Sequence, residues 1–478
     1  MTKDLRELID TLEEAGEIIR IKKEVDPLSN LGGIAWFAQN KYNKASLFES
    51  LKGFPGWTAV SYICGSRKRF ALALGSTPEN LIPDMSKKLE KGLTPIIIKN
   101  NGPCHDIIMK GNQVDLTKIP IHIHTDQCAG RYIGSGLCNL KDPDTGKRNV
   151  SQYRLQVKGP NKLGIWIYGD HGNTILRKHE EKGIKTPIAI AIGHHSSLYI
   201  ANNFATEYGI DELEIAGTLI DEPIEMIKCI TQDIEAPAYS EIVIEGEIPP
   251  NIRELEGPFT EHLGYAFGEQ INNPIINVTA ITMRKNAIYY ALQGGRPISE
   301  SQPLDGLQIE INMYRRLKQY PPTGGNINVK DVVCPPYFGD ALGIIIKFTP
   351  EYEGQSKDVL LAALSQERHP LIAILVDDDV DPHDPKDVFW SIATRVDPTK
   401  DILVIDGVRY RAPGSVKYIY PAPKRFHDPM GLGAKLGIDA TKPSTSNPKC
   451  RELFTRSIPF GLDTFSIEEF FKNFDNLK

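Results

Sequence analysis

Cysteine is sparse in this chain of 478 residues, and its positions follow no spacing rule. The seven cysteines are odd in number, widely scattered and never arranged as Cys-x-x-Cys. Disulfide frameworks and structural zinc sites depend on paired or regularly spaced cysteines. The sequence therefore argues against both, and it favours a reducing, cytoplasmic location.

Long apolar runs and basic stripes are missing as well. No segment approaches the roughly 20 consecutive apolar residues that a membrane-spanning helix needs, and the N-terminus lacks the apolar core of a secretory signal. The formal net charge is −6, with lysine and arginine spread along the whole chain. We therefore expect neither a membrane nor a nucleic acid as a partner.

The length and the residue pattern predict an α/β protein of three domains. Helix and strand patterns mix over residues 1–103 and again over 301–478, so we expect an α/β domain at each end. Between them, residues 104–300 carry short strand-like runs separated by glycine and proline, which is typical of a barrel or sandwich. A helix is expected at 212–219, and strands are expected at 151–157, 163–167, 188–192, 241–244, 275–281 and 287–292.

The end of the chain carries the pattern of an amphipathic helix. Residues 466–469 (Ser-Ile-Glu-Glu) form a capping box, and a narrow aromatic stripe follows at helical spacing: Ile467, Phe470, Phe471 and Phe474. We interpret the stripe as a docking face, either for its own domain or for a partner subunit.

Two carboxylates, Glu256 and Glu261, lie five residues apart across a Gly-Pro turn. Their neighbours are aromatic and apolar, and such surroundings raise the pKa of a carboxyl group toward that of a proton donor at neutral pH. With Arg154 they would form a carboxylate–arginine–carboxylate relay. The pattern points to an enzyme that moves protons onto carbon.

Asn149, His171 and Glu212 are candidate ligands for a divalent metal. Nitrogen and oxygen donors without cysteine suit Mn²⁺, Mg²⁺ or Fe²⁺ better than structural zinc, although a single His or Asn is more often structural. Glu212 opens a predicted helix, whose dipole favours the ionised carboxylate. Arg154 follows Asn149 by five residues, so a regular strand would place the two side chains on opposite faces. A shared site therefore requires a bulge or loop near residues 150–151.

Three other patterns are interpreted as structural. Residues 431–437 (Gly-Leu-Gly-Ala-Lys-Leu-Gly) have one residue too many for a dinucleotide-binding fingerprint and no clear preceding strand. His122 and His124 share one strand face after a proline, and we expect them to support the fold rather than bind a metal. The acidic run 377–381 lacks the glycine of a calcium loop, which favours a turn at a strand end.

Several of these residues lie in segments that resemble the UbiD family of decarboxylases. The matching segments occur in the family's order over nearly the whole chain: 149–154 (Asn-Val-Ser-Gln-Tyr-Arg), 170–172 (Asp-His-Gly), 211–212, 216–217, 241–246, 256–261, 377–381, 393–398 and 437–441. The resemblance implies that the central domain is a split β-barrel of the flavin-reductase type. It also implies a non-oxidative decarboxylation of an aromatic, heteroaromatic or α,β-unsaturated acid, with the physiological direction left open.

The resemblance assigns roles residue by residue. Asn149, His171 and Glu212 match the ligands of a divalent metal, with Mn²⁺ first. The backbone of Ala201, Asn202 and Phe204 matches a K⁺ site. Arg154, Glu256 and Glu261 match the catalytic triad, with Glu261 as the acid. The residues that match contacts of prenylated FMN are Asn149, Gln152, Tyr153, Arg154, Ile167, Tyr168, Gly169, Asp170, His171, Gly172 and Arg395, the last with a structural ion pair as an equal alternative.

Partners and substrate follow from the same resemblance. Prenylated FMN implies a flavin prenyltransferase as its supplier, and family members form homodimers or homohexamers. Asp170 and His262 occupy less uniform positions and favour a polar acid, such as a hydroxylated or heteroaromatic one. The alternative is a cofactor-binding subunit of a multi-subunit aromatic carboxylase, against which the intact Arg154, Glu256 and Glu261 argue.

Overall fold

The computed structural model describes residues 2–99, 102–167, 171–204, 206–260, 263–267, 270–319, 327–339, 341–365, 370–411, 430–457 and 459. Helices and strands mix throughout these ranges, so the predicted α/β class is confirmed. None of the described helices has the length and apolar content that a membrane crossing requires.

The N-terminal part packs helices against a small sheet. Its elements are α1 (Leu5–Glu14), β1 (Ile18–Ile21), α2 (Leu31–Tyr42), β2 (Ala45–Phe48), β3 (Thr58–Ser61), α3 (Arg67–Leu74) and α4 (Leu81–Lys88). Asp4 caps α1 by accepting the N–H groups of Arg6 and Glu7, and apolar residues at helical spacing form the buried face of this helix. In the sheet, β1 is parallel to β2, and β2 is antiparallel to β3.

The central part is built on a large, mostly antiparallel sheet. Its elements are β4 (Ile96–Ile97), β5 (Ile107–Lys110), β6 (Tyr132–Ile133), β7 (Leu137–Lys141), β8 (Arg148–Gln152), β9 (Leu155–Gly159), β10 (Lys162–Ile165), α5 (His171–Glu181), β11 (Thr186–Ile192), α6 (Ser196–Ala201), α7 (Glu212–Ile220), β12 (Glu225–Lys228), β13 (Glu235–Pro237), β14 (Ile242–Ile248), β15 (Arg253–Glu256), β16 (Phe259–Thr260), β17 (Ala266–Phe267), β18 (Ile271–Met283) and β19 (Ile288–Tyr290). The main strand order is β6-β9-β10-β18-β14-β11-β7-β8, with β5 and β15 also paired to β18. In the described pairings, β6 and β8 remain the two ends of this order, so the sheet does not close into a full barrel.

The C-terminal part is a second α/β layer. Its elements are α8 (Ser301–Gln319), β20 (Val329–Val333), β21 (Gly343–Phe348), α9 (Gln355–Leu364), β22 (Ile372–Val376), α10 (Pro385–Arg395), β23 (Ile402–Arg411), β24 (Met430–Ala440) and α11 (Pro448–Glu452). The sheet order is β20-β21-β22-β24-β23, with β21, β22 and β24 parallel. The central strands are apolar and buried, as expected for strands covered on both faces.

Strand pairing crosses the expected boundary between the N-terminal and central domains in both directions. The predicted strand over 287–292 forms as β19, but it pairs in parallel with β3 in the N-terminal sheet rather than with the central sheet. In the other direction, β4 pairs with β12 of the central part. One apolar cluster accordingly contains residues of both parts, among them Leu8, Val60 and Ile244. Periodicity predicts that a strand exists but not which neighbour it joins.

Helix α8 contributes apolar side chains to two hydrophobic cores, one shared by the N-terminal and central parts and one in the C-terminal part. Leu304, Leu307 and Ile311 pack into the cluster shared by the N-terminal and central parts. Ile309 and Met313 pack into the C-terminal cluster. Side chains three and four residues apart lie on one side of a helix, so each core receives its own stripe.

Arg67, at the start of α3, adds a polar link across the same junction. Its guanidinium donates to Glu310 on α8 at 3.0 Å and to Asp331 on β20 at 3.2 Å. Glu310 also accepts the N–H of Cys334 at 2.7 Å. Burial raises the pKa of Glu310 to about 7, although Arg67 acts in the opposite direction.

Arg67→Met is expected to destabilise the protein, and to do so more strongly near pH 8 than near pH 6. Because the folded-state pKa of Glu310, about 7, lies above its ordinary value of 4.5, the native state retains this proton and loses stability as the pH rises through 7. Removing Arg67 leaves the ionised carboxylate without its cationic partner, and breaking a buried pair costs about 3–5 kcal/mol. The unfolding temperature at both pH values measures the effect.

Arg316→Met on the exposed side of α8 is the matched control and should leave the unfolding temperature near the wild-type value. His383 also bonds Asp331, at 2.9 Å. His383 and Asp331 are present in both proteins, so the pH dependence of the difference in unfolding temperature reports Glu310. An equal loss at both pH values contradicts this role of Glu310.

Candidate active site

Glu256 ends β15, and its side chain is fully buried. β15 pairs with β18, the strand that also carries Asn273. Four donors surround the carboxylate. Oε1 accepts Arg154 Nε at 3.1 Å and the Tyr132 hydroxyl at 3.0 Å, while Oε2 accepts Arg154 Nη2 and Asn273 Nδ2, both at 2.8 Å.

Arg154 reaches Glu256 from a gap between two strands. β8 ends at Gln152 and β9 begins at Leu155, so Arg154 belongs to neither strand. Its guanidinium lies 4.5 Å from the ring centroid of Trp166 and 5.6 Å from that of Phe259. Bidentate bonding fixes the guanidinium plane, and the aromatic faces favour its charge.

The strand predicted over 151–157 is therefore wrong as a single element. The sequence required an interruption near residues 150–151, and the interruption exists but falls at Tyr153 and Arg154. Residues 150–151 lie inside β8 and pair regularly with β7. Because β8 ends before Arg154, the alternation of side chains along a regular strand no longer forces Asn149 and Arg154 onto opposite faces.

Of the predicted metal ligands, Asn149 and Glu212 are linked in the structure through the residue next to Asn149. Asn149 lies on β8, and the N–H of its neighbour Val150 donates to Glu212 Oε2 at 2.8 Å. Glu212 is the first residue of α7, where Asp211 caps the helix by accepting the N–H of Leu213. Asn149 and Glu212 are 3% and 5% exposed. Burial of two such polar groups is costly unless they are bonded.

His171 is the first residue of α5, which packs against β8 as α7 does. Its ring meets that of Tyr208 edge-on, with centroids 5.2 Å apart. The next residue, Gly172, lies so close to Tyr153 that a Cβ would overlap the Tyr153 hydroxyl. Glycine is therefore required here by contact rather than by backbone conformation.

The expected cofactor strand and cation segment lie against each other. The backbone N–H of Gln152 donates to Asn202 Oδ1 at 3.1 Å, and the Gln152 amide donates to the Gly134 carbonyl at 2.7 Å. Asn202 follows α6 and also donates to the Tyr199 carbonyl. The Ala201 carbonyl accepts the N–H of Phe204 at 3.1 Å. These bonds fix the backbone of the segment proposed for K⁺.

Some predicted residues lie outside the described part of the chain: Tyr168, Gly169, Asp170, Glu261 and His262. So does the terminal stripe beginning at Ile467. Thr260, immediately before Glu261, is described: its hydroxyl lies 2.5 Å from that of Thr125 and 3.6 Å from the sulfur of Cys128. The predicted proton donor therefore follows a residue that is anchored to the loop around Thr125.

Arg395 is bonded within the C-terminal part. Both terminal nitrogens donate to Asp379, at 3.1 and 2.7 Å, and its guanidinium lies 5.1 Å from the ring centroid of Trp390. These contacts form the structural ion pair that is the alternative to a cofactor contact. Its assignment to the cofactor stays a prediction.

The patterns interpreted as structural have structural contacts. Residues 431–437 lie inside β24 rather than at a strand–helix turn. Burial lowers the pKa of His124 to about 4 and that of His122 well below its ordinary value, so both rings are neutral at pH 7. Asp377 accepts both terminal nitrogens of Arg451, at 2.9 and 2.6 Å. The predicted strand-end turn is therefore paired with the guanidinium of Arg451.

The site contains four residues to which no sequence pattern assigns a role: Tyr132, Asn273, Trp166 and Phe259. Tyr132 precedes Glu256 by 124 residues, and no local pattern joins them. Predicting a role for Asn273 would have required the register of β15 on β18, in which Asn273 pairs with Glu254. Long-range pairing of this kind is not encoded in residue spacing.

Three family models match successive parts of the chain. The N-terminal, Rift-related and C-terminal domains of 3-octaprenyl-4-hydroxybenzoate carboxy-lyase match residues 9–89, 96–297 and 304–440. Together these ranges span most of the chain and place the Arg154–Glu256 pair in the Rift-related domain. The fold and this site define a carboxy-lyase. The chain belongs to the UbiD family.

Solved structures agree with this assignment. The chain is 33% identical to the UbiD-class enzyme HmfF from Pelotomaculum thermopropionicum in complex with FMN, over 98% of this chain and 100% of that one, with a TM-score of 0.86. It is 27% identical to a 3,4-dihydroxybenzoic acid decarboxylase from Enterobacter cloacae, over 97% and 98%, with a TM-score of 0.84. It is 29% identical to the vanillic acid decarboxylase of Sedimentibacter hydroxybenzoicus in open form, over 100% and 99%, with a TM-score of 0.83.

Proposed function

We propose that this protein catalyses the non-oxidative decarboxylation of an aromatic, heteroaromatic or α,β-unsaturated acid with prenylated FMN. The observation that carries the proposal is the buried, bidentate Arg154–Glu256 pair, just ahead of Glu261 in the chain. The FMN in HmfF and the prenylated FMN in an evolved dimeric form of HmfF support the choice of cofactor. The same residues would serve the reverse carboxylation.

Asn149, His171 and Glu212 fit a divalent metal by the chemistry of their donors. An amide oxygen, an imidazole nitrogen and a carboxylate suit Mn²⁺, with Mg²⁺ and Fe²⁺ as alternatives. The bond from Val150 to Glu212 and the packing of α5 on β8 support a common site. Backbone carbonyls of Ala201, Asn202 and Phe204 would hold K⁺.

The cofactor would lie along the end of β8 and the start of α5. The residues that would contact it are Asn149, Gln152, Tyr153, Arg154, Ile167, Tyr168, Gly169, Asp170, His171 and Gly172. When bound, prenylated FMN supplies an electrophilic carbon that accepts the electron pair released as CO2 departs.

The protein's own contribution would be orientation and proton transfer. Arg154, held in one plane by Glu256, would bind the substrate carboxylate or steer it toward the cofactor. Glu261 would deliver the proton to the carbon that CO2 leaves. Trp166 and Phe259 flank the guanidinium and would keep bulk water from the reacting atoms.

A polar, hydroxylated acid is the substrate class that we favour. Two of the similar structures are decarboxylases of 3,4-dihydroxybenzoic acid and of vanillic acid, both phenolic acids. Asp170 and His262 would contact the polar substituents of the ring. The ring of unsubstituted cinnamate carries no polar substituent for either side chain to contact.

The assembly and its supply of cofactor are part of the proposal. A flavin prenyltransferase would provide prenylated FMN, and a homodimer or homohexamer would be the working unit. All seven cysteines are free thiols, which suits the cytoplasm. A cofactor-binding subunit of a larger carboxylase remains the second candidate, because one similar decarboxylase was solved together with a truncated companion component, ShVdcD.

Co-expression with a flavin prenyltransferase tests the function. The purified protein is expected to show flavin absorbance and to release CO2 from hydroxylated benzoates faster than from cinnamate. Glu261→Gln should keep the absorbance and lose turnover. A colourless, inactive wild-type protein would overturn the main proposal, and full turnover by Glu261→Gln would refute the role of Glu261. A flavin-loaded protein that releases no CO2 from any acid favours the subunit.

A further inference from the structure

We propose that Tyr132 and Asn273 are positioning residues that hold the Glu256 carboxylate in one orientation and so keep Arg154 correctly aimed. The inference rests on the proposed function, since it gives the Arg154–Glu256 pair its task. It adds two residues that act through Glu256 rather than on the substrate.

The first argument is the count of donors around Glu256. An ionised carboxylate has about four lone-pair sites for hydrogen bonds. Two are used by Arg154, one by the Tyr132 hydroxyl and one by Asn273 Nδ2, all within 3.1 Å. A proton on either oxygen would displace one of these donors. The four donors therefore fix the plane of the carboxylate, and no acceptor site is left over for a proton.

The second argument is that both new donors are held by the fold before any ligand arrives. Tyr132 lies on β6, its backbone carbonyl accepts a bond from His124, and its ring packs against that of Phe259 with centroids 4.6 Å apart. Asn273 lies on β18 and is 7% exposed. Burial raises the pKa of Tyr132, so its hydroxyl remains a donor at neutral pH.

The third argument is that a change in the orientation of Glu256 would be transmitted to Arg154. Arg154 contacts Glu256 through one edge of its guanidinium, Nε and Nη2. Rotation of the carboxylate after loss of either extra donor therefore rotates Arg154 as well. A misplacement of about 1 Å at a reacting group costs on the order of 10²-fold in rate. The two neutral donors thus influence catalysis without touching the substrate.

The test compares Tyr132→Phe and Asn273→Leu with two matched controls. Tyr289 is a fully buried tyrosine whose hydroxyl has no hydrogen-bond partner among the described residues, and Asn277 is a partly exposed residue of the same strand as Asn273. Each test variant should lower kcat about tenfold with little change in KM. Tyr289→Phe and Asn277→Leu should change neither.

A second measurement needs no activity. In the apoprotein, Tyr132→Phe should lower the unfolding temperature in the wild-type background but much less in a Glu256→Gln background, because the bond to a charged acceptor is already gone. Equal shifts in both backgrounds, or test variants whose kcat values match those of the controls, overturn the inference. If the holoprotein releases no CO2 from any acid, the proposed function fails, while this thermal cycle still decides the role of Tyr132.

Discussion

Glu256→Gln is expected to lower kcat/KM by roughly 10²–10⁴-fold while the protein still folds. The neutral amide has one acceptor oxygen and one NH2 group. At least one of the donors that now face Glu256, from Arg154, Tyr132 or Asn273, would then face another donor. Arg154 would lose both its charge partner and its fixed plane. Steady-state kinetics with the flavin-loaded protein give the ratio directly.

Glu254→Gln is the matched control for this substitution. Glu254 lies two residues earlier on the same strand, is partly exposed, and pairs with Lys162 at 2.8 Å. Exposed pairs contribute about 0–1 kcal/mol, so this variant should keep nearly all of the activity. If Glu256→Gln and Glu254→Gln have equal kinetics, the buried carboxylate has no part in the reaction. An unchanged flavin absorbance in both variants would show that the loss is one of chemistry.

The sequence predicts those parts of the site that reside in contiguous segments. Asn149, Gln152 and Arg154 lie in one sequence motif. Glu212 is the first residue of a helix, and the preceding Asp211 is a typical capping residue. The residue pattern likewise predicts the helix over 212–219, which forms as α7, and the strand over 188–192, which forms as β11. These are local features, determined by neighbours within a few positions along the chain.

What the sequence does not predict depends on pairing between distant strands. The side chain of Tyr132 reaches Glu256 only because β6 pairs with β9, which follows Arg154. The strand over 287–292 is expected in the central domain, yet it pairs with β3. A one-residue change of register reverses the face of every side chain on a strand. Such contacts become visible only when the sheet is assembled.

Gly172→Ala is expected to reduce the flavin content of the purified protein and to lower its unfolding temperature. The new Cβ would overlap the hydroxyl of Tyr153 and lie 3.1 Å from Tyr153 Cζ and 3.3 Å from Leu140 Cδ1. Tyr153 is buried, so its ring has little room to withdraw. Overpacking of this kind costs about 1–3 kcal/mol. Movement of Tyr153 or of the neighbouring His171 would disturb residues that we propose to hold the cofactor and its metal.

Two further variants separate the steric overlap with Tyr153 from the general effect of placing alanine in a helix. Gly33 lies near the start of α2 with open space where a Cβ would be, so Gly33→Ala should stabilise the protein by up to about 1 kcal/mol. Tyr153→Phe removes the hydroxyl that the new methyl group would strike. In the double variant with Gly172→Ala, the unfolding temperature should recover most of its loss. If Tyr153→Phe rescues nothing, the damage arises elsewhere in α5, and the close approach of Gly172 to Tyr153 is not what requires glycine.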